Sequence, residues 1–423
     1  MIVLLAGGYI IRSVFSRLLD ESQARCRKGK YGHQPLYQRC VMNRYSNFKP
    51  GAERDSNDSP ESKSKWDKDF PIGRTRRDLL ERLFIVCGRV GTENVKLYEA
   101  KAKAMNADFL MEERNSWVFT LKTIQQNYNP EYHMGILLIG NNKQLPGTQI
   151  NYQNNYGYSD WFVQDADGDG IPDAPVGRIL GEPATVLYHM DPNVIDSNIA
   201  VVFDSQPGRS NRHVDALKEL GFEVEVLSRY TPKHAGLLGA SEFILQFSDG
   251  VFGSRIHGAP DKWAARNSVI LSSQQAEGIA FRGYPVVFSE ACSTALEGPL
   301  LQAFLRQGAA YIGSTLDTLN NIQPFDDWRE CAYSDGWKFG FLDLLDSYDH
   351  IGEVKLSVDK EITRNLAEGP RREIDQIRSG QTSVVQSDEA LSTIEWTFFG
   401  NPMRRSTVGP NADYSPGRLV VDT

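Results

Sequence analysis

The segment Tyr284-Pro285-Val286-Val287-Phe288-Ser289-Glu290-Ala291-Cys292 decides the fold, because a mostly apolar run leads directly into a cysteine. The run follows Gly283 and has the length and composition of a buried strand. His257-Gly258 likewise lies past an apolar run, at 243–247. Parallel strands place their carboxyl ends at one edge of a sheet, where α/β enzymes place their chemistry. We therefore expect the histidine and the cysteine at the same edge.

From residue 79 onward, apolar runs alternate with helical stretches. This pattern predicts an α/β fold in which a mostly parallel sheet carries helices on both faces. The predicted strands span 83–87, 107–111, 135–139, 199–203, 223–227, 243–247, 285–288, 309–312 and 394–398. The predicted helices span 95–105, 117–126, 211–220 and 299–307, and the polar segment 367–390 is interpreted as a loop or an exposed helix.

A cysteine and a histidine at one sheet edge suggest nucleophilic catalysis. The thiolate, not the thiol, is the nucleophile, and imidazole is the side chain best suited to take the proton near neutral pH. The sequence therefore predicts a catalytic pair of His257 and Cys292. Taken singly, each residue also fits a structural role, since free cysteines are commonly small core residues.

The segments around the pair resemble the gingipain-type cysteine peptidases, which are relatives of caspases and legumains. The histidine lies in Ile256-His257-Gly258-Ala259-Pro260-Asp261-Lys262-Trp263, and the cysteine in Phe288-Ser289-Glu290-Ala291-Cys292-Ser293-Thr294-Ala295. Further pieces follow in the family's order, at 135–140, 159–162, 175–179, 307–315 and 398–402. The resemblance covers roughly residues 82–405. It implies a caspase-hemoglobinase-like fold and a cysteine endopeptidase whose substrate is a protein or peptide.

The resemblance also implies roles for individual residues. Cys292 would attack a peptide carbonyl to give a thioester, and His257 would protonate the departing amine. The peptide N–H groups of Gly258 and Cys292 are the best available donors to the oxyanion. Asp204, after the strand at 199–203, matches a carboxylate that assists the histidine in this family. An ordinary turn aspartate is the alternative at this position.

A second motif, Asp165-Ala166-Asp167-Gly168-Asp169-Gly170-Ile171-Pro172-Asp173, has the spacing of a calcium loop. The predicted Ca²⁺ ligands are Asp165, Asp167, Asp169, Asp173 and the carbonyl of Ile171. Position 176 is a valine where an EF-hand would carry glutamate, so the loop is not a complete EF-hand. The alternative is a solvated acidic loop that joins two core elements. In both cases its role would be structural.

Charge and composition differ between the first 80 residues and the rest of the chain. Residues 1–80 carry a net charge of +7 and the remainder −15, and 44–68 holds few apolar residues to bury. We interpret 1–80 as a basic, partly irregular extension that could be a pro-segment, 81–405 as the peptidase domain, and 406–423 as a tail. The net negative charge of the remainder argues against a nucleic-acid partner. The basic extension could contact a nucleic acid or a membrane, and the alternative is that it is simply solvated.

The sequence predicts no transmembrane segment, because no stretch approaches the roughly 20 apolar residues that a span needs. The apolar start at 1–11 lacks a basic leading region and makes a poor signal peptide, whereas the family resemblance suggests a secreted or cell-surface protein.

Two other functions stay open. They are a catalytically silent caspase-like binding module, against which the intact pair argues, and a thiol acyltransferase that uses the same dyad. No feature predicts an oligomeric state.

Overall fold

The computed structural model describes residues 82–204, 211–246, 258–265, 268–319 and 327–410 of this chain. The predicted extension 1–80 lies outside the described residues, and so does His257. The tail predicted at 406–423 is described only to residue 410. All described residues belong to one unit, Lys63–Thr423.

The described part of the chain contains fifteen strands in three sheets. In chain order they are β1 (Leu83–Cys87), β2 (Asp108–Met111), β3 (Gly135–Ile139), β4 (Thr148–Tyr152), β5 (Asn155–Ser159), β6 (Val176–Ile179), β7 (Ile199–Phe203), β8 (Glu223–Leu227), β9 (Phe243–Gln246), β10 (Gly258–Ala259), β11 (Lys262–Ala265), β12 (Ser268–Ser272), β13 (Val286–Ser289), β14 (Ala310–Ser314) and β15 (Trp396–Phe399). The central sheet has ten strands, in the order β2-β1-β3-β6-β15-β14-β13-β9-β7-β8. The smaller sheets are β10-β11-β12 and the hairpin β4-β5.

The candidate site lies on the half of the central sheet formed by β14, β13, β9, β7 and β8. Neighbouring strands in this half are parallel, whereas β15 runs antiparallel to β14. Ser289 of β13 is level with Gln246 of β9, and Gln246 is level with Phe203 of β7. The carboxyl ends of these three strands therefore share one edge, and the predicted α/β fold with a mostly parallel sheet is confirmed.

Helices cover both faces of this half. In chain order the α-helices of the described ranges are α1 (Thr92–Ala104), α2 (Trp117–Asn127), α3 (Pro183–Met190), α4 (Asn211–Glu219), α5 (Ala235–Ala240), α6 (Ser273–Ala276), α7 (Pro299–Arg306), α8 (Ser334–Asp343), α9 (Ile351–Asn365), α10 (Glu368–Arg378) and α11 (Asp388–Ile394). Successive strand side chains point to opposite faces. Val287 accordingly joins a core with α5, α6 and α7, and Phe288 joins a second core with α4, α8 and α9. Burying one such side chain contributes about 1.5–3 kcal/mol.

An aromatic stack fixes β13 against the helices beneath it. The ring of Phe288 lies 5.6 Å from that of Trp337 and 5.5 Å from that of Trp396, and the two tryptophans are 4.9 Å apart. Ring pairs of this kind add about 0.5–1.5 kcal/mol beyond the area they bury. The strand that leads to Cys292 therefore has a rigid support.

The hairpin β4-β5 is a difference from the sequence prediction, which placed no strand at 148–159. Its polar residues hide the alternation expected of a strand. Its turn is formed by Gln153 and Asn154, both with positive φ (46° and 69°). Two residues in the left-handed region match the two-residue turn that suits the twist of a hairpin.

The polar segment before the last strand also differs from the prediction in detail. It forms two helices, α10 and α11, and Ile394 ends α11 instead of beginning the strand predicted at 394–398. The strand β15 starts at Trp396. Residues Ile374 and Ile377 of α10 are buried, which explains why this charged segment is ordered as a helix.

Within the described ranges, no helix has both the length and the apolar character that crossing a membrane requires.

Candidate active site

Cys292 lies three residues beyond the end of β13, in a tight turn at the shared sheet edge. The next residue, Ser293, has φ of 58°, in the left-handed region that a side chain rarely adopts. Its peptide N–H donates to the carbonyl of Leu316 at 2.7 Å, and Ala295 donates to the carbonyl of Ser314 at 2.9 Å. The loop after β14 thus holds the turn in a strained conformation, which is a feature found at functional sites.

Gln246, the last residue of β9, ties the neighbouring strand to the same turn. Its Oε1 accepts the peptide N–H of Ala291 at 2.9 Å and the hydroxyl of Ser289 at 3.2 Å. Gln246 is buried, and a buried amide needs such partners. Sequence analysis missed this residue, although a polar residue at the end of the apolar run Phe243-Ile244-Leu245 was a usable signal.

The Cys292 sulfur is half-buried and contacts Thr318. The peptide N–H and the Oγ1 of Thr318 both lie 3.4 Å from Sγ. Burial raises the pKa of the thiol to about 11; the two hydrogen bonds from Thr318 act in the opposite direction, while Asp317 and Glu395 raise it further. The thiol is therefore protonated at neutral pH and needs a base to react as a thiolate.

Gly258 packs directly against the cysteine turn. A Cβ at this position would lie 2.6 Å from the carbonyl oxygen of Cys292 and 2.7 Å from Cβ of Ala291. Only glycine allows so close an approach. Among the described residues, the peptide N–H of Cys292 has no acceptor. The structure therefore brings Gly258 and Cys292 together and leaves the Cys292 N–H available.

Replacing Gly258 by alanine is expected to lower stability by about 1–3 kcal/mol, the usual cost of overpacking. Alkylation of Cys292 by iodoacetamide should slow by up to about tenfold, because a shifted turn moves the sulfur away from the two groups of Thr318 that favour its thiolate. Urea unfolding and mass spectrometry of the Cys292 peptide measure the two effects. Gly236→Ala in α5 is the control, because its added Cβ would meet no atom within 4 Å. Wild-type stability and alkylation in Gly258→Ala would contradict the packing described here.

The other residues predicted near the pair are placed as follows. Asp204 is buried directly after β7, at the same edge, and its peptide N–H donates to the carbonyl of Leu227 at 2.9 Å. Trp263 lies in the core beneath the edge, with its ring 5.6 Å from Phe203 and its Nε1 3.3 Å from the hydroxyl of Tyr311. Trp263 therefore packs the small sheet β10-β11-β12 onto the central sheet.

A buried ion pair anchors the turn from below. Lys338 of α8 lies 2.9 Å from Glu290 and 2.6 Å from Asp335. Both Glu290 and Lys338 are buried. Burial alone would lower the pKa of Lys338, but the two carboxylates outweigh it and raise the pKa. Sequence analysis did not identify Lys338, because its partner is 48 residues away in the chain.

A second buried pair supports the turn from the side of β6. Arg178 donates to both oxygens of Asp160 at 2.6 Å and, through Nη1, to the carbonyls of Gly140 and Leu145 at 2.7 Å. A small cavity beside the pair is lined by Glu297, five residues after the cysteine. Arg178 therefore forms a buried ion pair with Asp160.

The predicted calcium loop forms an acidic cluster away from the cysteine turn. Its members each place a carboxylate oxygen within 4.8 Å of the others: Asp165, Asp167, Asp169 and Asp173. Burial, followed by the charge of Asp167, raises the pKa of Asp173 to about 8. Negative charge is thus crowded into this loop.

Two contacts limit how that cluster can bind an ion. Arg378 donates to Oδ2 of Asp165 at 2.7 Å and lies 3.2 Å from the carbonyl oxygen of Gly168. The peptide N–H of Ile171 donates to Asp169 at 2.8 Å. Asp165 therefore already has a cationic partner in Arg378.

No protein-family model and no curated protein matches the chain. A solved structure described only as that of a protease superposes with a TM-score of 0.53 at 16% identity, over 77% of this chain and 78% of that one. Two dehydrogenases superpose only poorly. One is a methylenetetrahydrofolate dehydrogenase/cyclohydrolase from Campylobacter jejuni, with a TM-score of 0.18 at 11% identity over 72% of this chain and 90% of that one. The other is a D-2-hydroxyisocaproate dehydrogenase, with a TM-score of 0.19 at 11% identity over 54% of this chain and 76% of that one. The likeness to the protease, at this identity, shows a shared fold.

Proposed function

We propose that the chain is a gingipain-type cysteine endopeptidase in which Cys292 is the nucleophile and His257 the base. One observation carries the proposal: a half-buried thiol stands at the carboxyl edge of a parallel sheet, against the backbone of Gly258. His257 is the residue before Gly258 in the sequence. The shared fold with a protease is compatible with this function.

The reaction follows from the thiol and its neighbours. His257 takes the proton of Cys292, and the thiolate sulfur forms a bond to the carbonyl carbon of the peptide. The C–N bond then breaks as His257 returns the proton to the amine, which leaves a thioester. Water attacks the thioester, releases the acid and restores the thiol.

The oxyanion formed in both steps needs donors in fixed positions. The peptide N–H of Cys292, which has no acceptor among the described residues, supports its assignment as one donor, and Gly258 supplies the second in this proposal. Losing one such donor typically costs about 100- to 1000-fold in rate. Asp204, at the same edge, is proposed to orient His257.

The test is a peptide-library profile of the wild-type protein beside Cys292→Ala. Cleavage that depends on Cys292 supports the endopeptidase. Transfer of the acyl group to an added amine, without hydrolysis, would instead favour an acyltransferase.

We further propose that the acidic loop binds Ca²⁺ with a structural role. Calcium takes oxygen ligands at about 2.3–2.6 Å, so opposite ligands lie roughly 5 Å apart. The 4.8 Å spacing of the four carboxylates fits this distance. Asp165, Asp167, Asp169 and Asp173 would hold the ion, together with the carbonyl of Ile171. A bound cation would offset the repulsion that otherwise favours a proton on Asp173.

Calcium is therefore expected to stabilise the protein, by about 2.7 kcal/mol at a free concentration one hundred times its Kd. A chelator should lower the Tm, and Asp169→Asn should remove most of the response to calcium. Differential scanning calorimetry with and without chelator measures both. Asp346→Asn, an exposed aspartate outside the cluster, is the matched control. A Tm that changes with neither calcium nor chelator would contradict the calcium site.

A further inference from the structure

The loop after β14 holds Thr318 in a fixed position next to the cysteine. The carbonyl of Leu316 accepts the peptide N–H of Ser293 at 2.7 Å, and Leu319 donates its peptide N–H to Oγ of Ser334 at 3.1 Å. Thr318 lies between these two anchors. Its position relative to the sulfur is therefore set by contacts on both sides of it.

Thr318 reaches the sulfur with two groups. The peptide N–H and the hydroxyl oxygen are both 3.4 Å from Sγ. A hydroxyl can either donate or accept, so it can accept from the neutral thiol and donate to the thiolate. Hydrogen bonds to an ionised acceptor are about twice as strong as neutral ones. Both groups therefore gain strength when the sulfur becomes negative.

The charged groups near the sulfur act against its ionisation. Asp317, half-exposed, is on the same loop, and Glu395 lies fully buried directly before β15. Burial raises the pKa of Glu395 well above its ordinary value, and Ser314 donates to it at 2.6 Å. The charges of Asp317 and Glu395 therefore both oppose a negative sulfur. Among the described residues, Thr318 alone donates to the sulfur.

We propose that Thr318 is a positioning residue, which holds the Cys292 sulfur in its reactive place and stabilises the thiolate through its hydroxyl and peptide N–H. The inference rests on the proposed function, because it gives Thr318 a role only if Cys292 is the nucleophile. It adds a residue that the family resemblance did not supply.

The test compares Thr318→Val, which has the same shape without the hydroxyl, with Thr318→Ser, which keeps it. The rate of iodoacetamide alkylation is measured against pH in the full chain, with mass spectrometry of the Cys292 peptide. We expect Thr318→Val to react about tenfold more slowly at neutral pH, with its midpoint about one pH unit higher. Thr318→Ser should stay within about twofold of wild type.

Thr148→Val is the matched control, because the buried hydroxyl of Thr148 has no hydrogen-bond partner within the described ranges. A general loss of packing would slow both valine variants without moving the midpoint. A midpoint in Thr318→Val equal to that of wild type would overturn the inference, even when cleavage depends on Cys292. Peptide cleavage that persists in Cys292→Ala would overturn the proposed function, and with it this role of Thr318.

Discussion

Cys292→Ala is expected to lower kcat/KM for peptide cleavage on the order of 10⁴-fold or more, and to abolish labelling by a thiol-directed affinity probe. The reason is that the proposed mechanism forms the acyl-enzyme on this sulfur, and deleting a nucleophile removes nearly all the catalysis of the unit to which it belongs. The other cysteines of the described residues, Cys87 and Cys331, are buried. Burial raises the pKa of the Cys87 thiol as well, so it offers no substitute.

The matched control is Cys331→Ala, which removes a buried thiol that lies outside the turn. It should keep full labelling and cleavage if the protein stays folded. Undiminished cleavage in Cys292→Ala would end the cysteine-peptidase proposal. A wild-type protein that neither cleaves peptides nor reacts with the probe would favour the silent binding module.

The sequence predicted those parts of the site that depend on local pattern. An apolar run ending in Ala291-Cys292 predicts a buried strand and a residue at the sheet edge, and both are observed at β13. Asp204, which was selected through the family resemblance and not from a local pattern, also lies at this edge, directly after β7. Periodicity and composition are enough for such features, because each is decided within about ten residues.

Contacts between distant parts of the chain could not be predicted in this way. Gln246 reaches the cysteine turn from β9, Thr318 from the loop after β14, and Lys338 from a helix below the sheet. No pattern within one segment shows which polar residue will meet which partner. The hairpin β4-β5 was missed for a related reason: its strands are polar and gain their stability from packing on the loop after β14, where Gly157 lies against Thr315.

The second large effect is expected for Lys338→Met, which should lower the free energy of unfolding by about 3–5 kcal/mol. Removing one member of a buried pair leaves the other charge uncompensated. Here Glu290, fully buried and two residues before Cys292, would lose its cation. Burial disfavours the charged form of a carboxylate that has lost its ammonium partner. The deficit should therefore shrink as the pH falls and Glu290 takes up a proton, and it should grow as the pH rises.

The double variant Glu290→Gln/Lys338→Met separates this effect from lost packing. It removes the charges of Glu290 and Lys338 and leaves that of the more exposed Asp335, so it should recover part of the stability lost in Lys338→Met, and its stability should depend less on pH. Lys218→Met, at an exposed position of α4, is the control and should change stability by less than about 0.5 kcal/mol. Urea unfolding at pH 5 and pH 8 measures all three variants. If the double variant is as unstable as Lys338→Met at both pH values, the apolar contacts of the lysine chain, and not its charge, hold α8 beneath the cysteine turn.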